Sequence, residues 1–220
     1  MLWECITLKI KENMDVKHIA VSGNIGAGKT TLVQNLSHHF DWTAQYEEVE
    51  SNPYLDDFYS DMHRWAFNLQ IFFLHQRYSQ ILEIREGNKT IIQDRTIYED
   101  AAIFAPNLHK MGLMSTRDYE NYKAFYKTVE AQIQPPDLLI YMKASIPTLV
   151  NNIQKRGRDY EENLRLDYLK KLNEFYENWI ASYDKGPLLV IDCDNTDIVE
   201  NKDDISDIYN RIQAELNGLF

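Results

Sequence analysis

A chain of 220 residues with 44% apolar content can bury one full core, and a single domain is expected. Its formal net charge of −11 argues against DNA, RNA and anionic membrane surfaces as partners. No apolar run is long enough to span a bilayer, and the two cysteines, Cys5 and Cys193, are too few for a disulfide framework or metal site, which fits a reducing, cytoplasmic setting.

Residues 1–16 read as an extension ahead of a domain covering 17–220. Charge interrupts their apolar positions and no small-residue cleavage site follows, so they do not form a secretory signal. The segment contains a second methionine, Met14, where translation is expected to begin, the earlier residues being a start-site artefact or a loose arm.

The first predicted strand, at 17–22, runs into Gly23-Asn24-Ile25-Gly26-Ala27-Gly28-Lys29-Thr30, followed by Thr31 and a helix over 29–40. Strand, then G-x-x-x-x-G-K-T, then helix is the context of a phosphate-binding P-loop rather than of a mere glycine-rich turn. Its glycines let backbone N–H groups curl round a polyphosphate, and the opening helix adds the positive end of its dipole. Lys29 would neutralise the β- and γ-phosphates, and the Thr30 hydroxyl would ligate Mg²⁺. The chain is therefore expected to bind a nucleoside triphosphate. An anionic ligand on an acidic chain needs locally concentrated positive charge, which Lys155-Arg156-Gly157-Arg158 can supply.

A weaker strand is predicted at 44–49, then a long aromatic-rich helix at 64–85. On that helix Gln70 and Arg77 lie two turns apart, on one face with Leu74 between them. The strand at 90–94 ends in Asp94-Arg95, an acid that can reach Mg²⁺ beside a cation that can grip an acceptor. A helix over 115–133 opens on a capping serine and stops before Pro135-Pro136. Strands at 137–143 and 188–193 and helices at 146–154, 164–183 and 204–216 complete the pattern. The alternation implies an α/β fold, a parallel sheet with helices on both faces whose ligands bind beyond the carboxyl ends of the strands. Helix content exceeds what one sheet can cover, so some helices should pack on one another. The absence of an N-K-x-D run lowers a GTPase reading.

Taken together, the P-loop, Glu47-Glu48-Val49, Asn52-Pro53-Tyr54-Leu55, Trp65-Ala66-Phe67-Asn68-Leu69-Gln70 and Asp94-Arg95-Thr96-Ile97-Tyr98-Glu99-Asp100 resemble the deoxynucleoside kinases. The likeness is to the deoxycytidine/deoxyguanosine/deoxyadenosine kinase branch, its bacterial deoxyadenosine kinases above all, and it runs from about His18 to the C-terminus. It implies a three-layer P-loop kinase fold, with a five-stranded parallel sheet in the order 2-3-1-4-5 and a lid at about 155–163. The activity implied is ATP- and Mg²⁺-dependent phosphorylation of a deoxynucleoside at its 5′-hydroxyl in nucleotide salvage, by a homodimer.

The same resemblance assigns roles. Glu47 matches the acid that acts as general base on the 5′-hydroxyl. Glu48 stands where the family has proline, and since neighbours on an extended segment face opposite ways, Glu47 is taken as the inward residue. Arg95 matches the arginine that contacts the 5′-oxygen and the catalytic acid. Gln70 would read the base, with Arg77 and Asp100 as a charged pair beside it, a combination associated with cytidine and purine acceptors. Phe104, Phe67 and Leu69 offer apolar surface for the base, with Tyr54 and Trp65 as pocket walls. Tyr59 and Glu161 match the residues that hold the 3′-hydroxyl. Asp94 would join Thr30 at Mg²⁺, and Arg156 and Arg158 would be lid arginines on the transferring phosphoryl group. Asn152 stands where related members place an arginine on the ATP adenine, which leaves the donor-base preference open.

Deoxyadenosine is the first choice of acceptor, ahead of deoxyguanosine and deoxycytidine. A nucleoside monophosphate kinase of the thymidylate kinase type shares the fold, P-loop and arginine-bearing lid, but its phosphorylated acceptor needs extra cations where this chain has Glu47. A nucleotide-dependent switch would lack an acceptor pocket.

Overall fold

The computed structural model describes residues 17–47, 51–158 and 164–217. Glu161, most of the lid beyond Arg158, Glu48 and residues 1–16 with Cys5 lie outside them.

Five parallel strands form one sheet: β1 (His18–Gly23), β2 (Thr43–Gln45), β3 (Ile91–Asp94), β4 (Leu138–Lys143) and β5 (Leu188–Asp192), in the order β2-β3-β1-β4-β5. The central strands are continuous apolar runs because both faces are covered, so no polar alternation survives. Ile19, Ala20 and Val21 in β1 and Leu138 through Met142 in β4 are all buried. The β2 strand is shorter than the predicted 44–49, ending at Gln45, and the chain leaves the sheet before Glu47.

The helices are α1 (Lys29–Phe40), α2 (Leu55–Ser60), α3 (Met62–Glu86), α4 (Ile97–Glu99), α5 (Ala105–Lys110), α6 (Thr116–Glu130), α7 (Ile146–Arg156), α8 (Leu166–Ala181) and α9 (Lys202–Leu216). A π-helical turn, Asp100–Phe104, joins α4 to α5. The Asp61 carboxylate caps α3 by accepting from Arg64 N, and the Ser115 hydroxyl caps α6 by accepting from Asp118 N.

One face of the sheet packs on α1, α7 and α9 through Leu32, Leu36, Leu149, Ile208 and Ile212. The second core is largely helical: Leu69, Phe73 and Leu74 of α3 meet Leu108 of α5, Tyr122 of α6 and Leu172 and Tyr176 of α8, with Tyr141 of β4 at its edge. These are the helix-on-helix contacts that the excess of helix predicted. Register aligns Val21 with Asp94 and Gly23 with Met142, so the P-loop and the Asp94-Arg95 corner emerge side by side at one edge.

Candidate active site

The P-loop is held open by backbone geometry that only glycine tolerates. Gly26 has φ +84°, and a Cβ there would lie 2.7 Å from the Leu149 carbonyl oxygen and 2.8 Å from Ile153 Cγ1 of α7. The loop can therefore lie flat against that helix. The Asn152 amide from α7 donates to the Gly26 carbonyl at 2.9 Å, and Asn24 Nδ2 donates to Leu169 O and Asn173 Oδ1 of α8. Asn152 is thus a brace for the P-loop. Lys29 Nζ turns back to donate to Asn24 O at 3.0 Å, and burial, with the Arg95 charge, lowers its pKa to about 8 against the pull of Asp94, Glu47 and Glu99.

Thr30 Oγ1 donates to Asp94 Oδ2 at 2.6 Å, while Asp94 Oδ1 is buried without a partner. Burial raises the Asp94 pKa, opposed chiefly by Lys29. No group of three His, Cys, Asp or Glu among the described residues forms a metal cage. The pair fits Mg²⁺, which usually takes one or two carboxylates and completes its octahedron with phosphates and water.

Arg95 follows β3 in the left-handed region, φ 72°, a sparsely populated state for a residue with a Cβ. Its surroundings fix it. The backbone N–H donates to Val21 O at 2.9 Å, Nη1 donates to Tyr176 Oη at 2.6 Å and lies 3.4 Å from Glu99 Oε1, and the guanidinium lies over the Phe104 ring at 4.6 Å. Glu99 is the hub beneath. Its Oε2 accepts from Thr96 N at 2.7 Å, and its Oε1 accepts from Tyr176 Oη at 2.8 Å and Gly23 N at 3.4 Å. It thereby ties the P-loop to the Asp94-Arg95 corner.

Glu47 faces the cleft rather than bulk solvent, with 17% of its side chain exposed. Arg77 Nη2 donates to its Oε1 at 2.7 Å, and Arg95 Nε lies 3.3 Å from the same oxygen. Burial alone would raise its pKa, but Arg95, Arg77 and Lys29 outweigh that and hold it at about 2. Asp100 Oδ2 lies 2.7 Å from Arg77 Nε, and burial pushes this acid up to about 7 although Arg77 and Arg95 pull the other way.

Two clefts meet here. One is lined by Glu47, Tyr59, Gln70, Asp94, Arg95 and Phe104, with Leu69 among its apolar walls. The other runs along the P-loop from Gly26 to Thr31, past Asn152, to the 193–200 loop. Gly26, Lys29, Thr30, Arg156 and Arg158 line both. The Gln70 Oε1 atom is buried without a hydrogen-bond partner, an acceptor left for a ligand.

Arg77 and Asp100 lie fully buried behind the first cleft. Tyr54 and Trp65 do not line it: their rings sit 5.8 Å apart and pack against the helical core, as does Phe67. Sequence reasoning assigned no role to Glu99 or Tyr176. The Thr96-x-x-Glu99 capping-box spacing could have flagged the first, whereas nothing local marks Tyr176.

The chain matches the family model described as "Deoxynucleoside kinase" over residues 19–217. It is 34% identical to the deoxyadenosine/deoxycytidine kinase of Bacillus subtilis (strain 168) over 201 residues, covering 90% of this chain and 93% of that one. It is 38% identical to the deoxyguanosine kinase of the same organism over 210 residues, covering 91% and 96%. Among solved structures it superimposes on deoxyadenosine kinase from M. mycoides with bound dATP, with a TM-score of 0.79 at 31% identity over 89% of this chain and 99% of that one. The same enzyme with the products dCMP and a flexible dCDP bound gives a TM-score of 0.81 at 30% identity, over 90% and 99%.

Proposed function

The chain belongs to the deoxynucleoside kinase family, and from that premise we propose that it transfers the γ-phosphoryl group of ATP to the 5′-hydroxyl of deoxyadenosine, with Glu47 as the base. One observation carries this reading: a carboxylate kept ionised by two buried arginines opens into the cleft that Lys29 and the P-loop share.

The P-loop amides and Lys29 hold the donor phosphates where the two clefts join, and the acceptor lies in the first. Glu47 accepts a hydrogen bond from the 5′-hydroxyl, aims it at phosphorus and takes its proton as the new P–O bond forms, while the bond from the γ-phosphorus to the β,γ-bridging oxygen breaks and its electron pair leaves with ADP. Arg95 fixes that carboxylate and the 5′-oxygen together, while Arg156 and Arg158 offset charge on the transferring group. Thr30 and Asp94 would hold Mg²⁺, which when bound neutralises charge on the β- and γ-phosphates. Little bond chemistry falls to the protein, so positioning dominates.

Gln70 presents an unpaired acceptor to the base, as the exocyclic amino group of adenine or cytosine requires. Phe104 forms the apolar wall, Tyr59 with Glu161 serves the 3′-hydroxyl, and the buried Arg77–Asp100 pair backs the pocket. Relatives are named for deoxyadenosine, deoxycytidine and deoxyguanosine alike, and among these acceptors deoxyadenosine is the one proposed first. We further place the enzyme in the cytoplasm as a homodimer through α3 and α6, where Leu82 and Phe125 expose 40% and 49% of their surface. No helix among the described residues is long and apolar enough to cross a membrane.

The test is a rate comparison of purified enzyme with ATP-Mg²⁺ and each of the four deoxynucleosides. Deoxyadenosine should give the highest kcat/KM. Thymidine as the sole good acceptor, or phosphorylation of dTMP in preference to nucleosides, would overturn the pocket reading. Sedimentation at micromolar concentration should give twice the monomer mass.

A further inference from the structure

Glu47 stands on a segment with no strand ladder of its own, since β2 ends two residues earlier. A buried row of side chains holds that segment instead. Gln80 Nε2 of α3 donates to the Tyr46 carbonyl at 2.9 Å, Gln93 Nε2 of β3 donates to Gln80 Oε1 at 3.0 Å, and Gln93 Oε1 lies 3.1 Å from His18 Nε2 of β1.

The carbonyl end forces every direction in this row. A carbonyl oxygen only accepts, so Gln80 must turn its nitrogen to Tyr46 and its oxygen to Gln93. Gln93 must then turn its nitrogen to Gln80 and its oxygen to His18, whose Nε2 carries the proton. Burial lowers the His18 pKa, which suits a neutral ring with that single proton. Gln93 is wholly buried and directly precedes Asp94 and Arg95, and Gln80 follows Arg77 by three residues on the same helix. The row therefore links the three segments that deliver Glu47, Arg77 and Arg95.

We propose that Gln80 is a positioning residue for Glu47, oriented by Gln93, and that this amide row sets where the carboxylate stands between its two arginines. The proposal rests on reading Glu47 as the base. A neighbouring contact, Gln45 Nε2 to Glu83 Oε2, is exposed and offers the segment little restraint.

Three variants test it in the full-length enzyme. Gln80→Met removes both amide contacts. Gln80→Glu keeps the length and the acceptor for Gln93 but turns an oxygen toward the Tyr46 carbonyl, and it still reports if the methionine variant fails to fold. Gln93→Glu turns an oxygen toward Gln80 without touching the loop. Each should lower kcat about 10- to 100-fold while KM for ATP changes by no more than about twofold, because the P-loop is untouched and only placement of the base is lost. In the Glu47→Gln background Gln80→Met should cost nothing further, since both act through one group. Wild-type kcat in Gln80→Glu, or the full Gln80→Met loss repeated in the Glu47→Gln background, would overturn the proposal with the base reading intact. Wild-type turnover by Glu47→Gln alone would instead remove the base itself, and the proposal would fall with it.

Discussion

Arg77 Nη2 lies 2.7 Å from Glu47 Oε1, so a buried residue of the long helix α3 grips the acid that opens into the first cleft. Its Nε meets Asp100 Oδ2 at 2.7 Å on the other side, which makes one guanidinium the bridge between two buried carboxylates. A planar fork reaches both at once, hydrogen-bonding Glu47 and pairing its charge with Asp100, where an ammonium is a point charge on a flexible stem.

Arg77→Met should therefore be among the most damaging changes in the molecule. It leaves two carboxylates in a buried site without their shared cation, and breaking such a pair typically costs about 3–5 kcal/mol. Asp100→Asn should cost less, since Arg77 keeps Glu47 as a partner. Urea unfolding of the two variants measures the difference. Equal stability of both with wild type would mean that Arg77 carries no such bridge.

Glu47→Gln keeps the shape of the side chain and its contact distances but removes the proton acceptor. General-base contributions are typically about 10²–10⁴-fold, so kcat should fall by that factor while KM for ATP stays near wild type. Steady-state kinetics at saturating ATP-Mg²⁺ checks this, and loss confined to KM for ATP would place Glu47 outside the chemistry.

The parts of this site that local pattern encodes were legible in the chain, and the parts made by distant contacts were not. β1 and β4 read as strands because both faces are buried, and the P-loop because its glycines, lysine and threonine have fixed spacing. The sheet order came from the family resemblance and agrees with the observed one. The end of β2 was overestimated, since Tyr46 and Glu47 carry no strand ladder and Glu47 is held by Arg77 instead. Helical spacing put Gln70 and Arg77 on one face, yet nothing in it shows that Arg77 reaches Glu47, thirty positions away. Glu99 and Tyr176 join across 77 positions and Gln93 and His18 across 75, and such pairs leave no periodic trace. Tyr54 and Trp65 show the converse error, for an aromatic beside a site motif can simply be core.

Gly26 makes a sharper probe of the donor side than Lys29, because its effect is steric. An alanine there must hold a positive φ and place its Cβ 2.7 Å from the Leu149 carbonyl, a backbone atom that yields only if α7 moves. The backbone conformation alone costs of order 1–3 kcal/mol, which corresponds to roughly 5- to 150-fold if it is taken from nucleotide affinity. Gly26→Ala should weaken ATP binding by that factor in calorimetry while deoxynucleoside binding, measured without ATP, is nearly unchanged. The displacement would also carry Arg156 at the end of α7 away from the clefts it lines with Lys29 and Thr30, so kcat should fall together with affinity.

The low pKa of Glu47 makes stability depend on pH with a definite sign. The folded protein holds this carboxyl at about 2 against an ordinary value of 4.5, chiefly because Arg95, Arg77 and Lys29 overcome the burial that would raise it. A depressed acid stabilises the fold fully above its unfolded value and progressively less as pH falls toward its folded one, because the unfolded chain takes up the proton first. That difference corresponds to about 3 kcal/mol above pH 6, more than half of it lost by pH 3. Glu47→Gln cannot titrate, so subtracting its unfolding free energy from that of wild type at each pH removes the acids remote from it, while Asp100, Asp94 and Lys29, which feel its charge, still contribute. The gap should narrow steadily from about pH 5 downward, as the unfolded chain takes up the proton that folded Glu47 still refuses. A gap that stays constant from pH 6 to pH 3 would mean that the carboxyl titrates alike in both states, and that the two arginines do not hold it as the distances indicate.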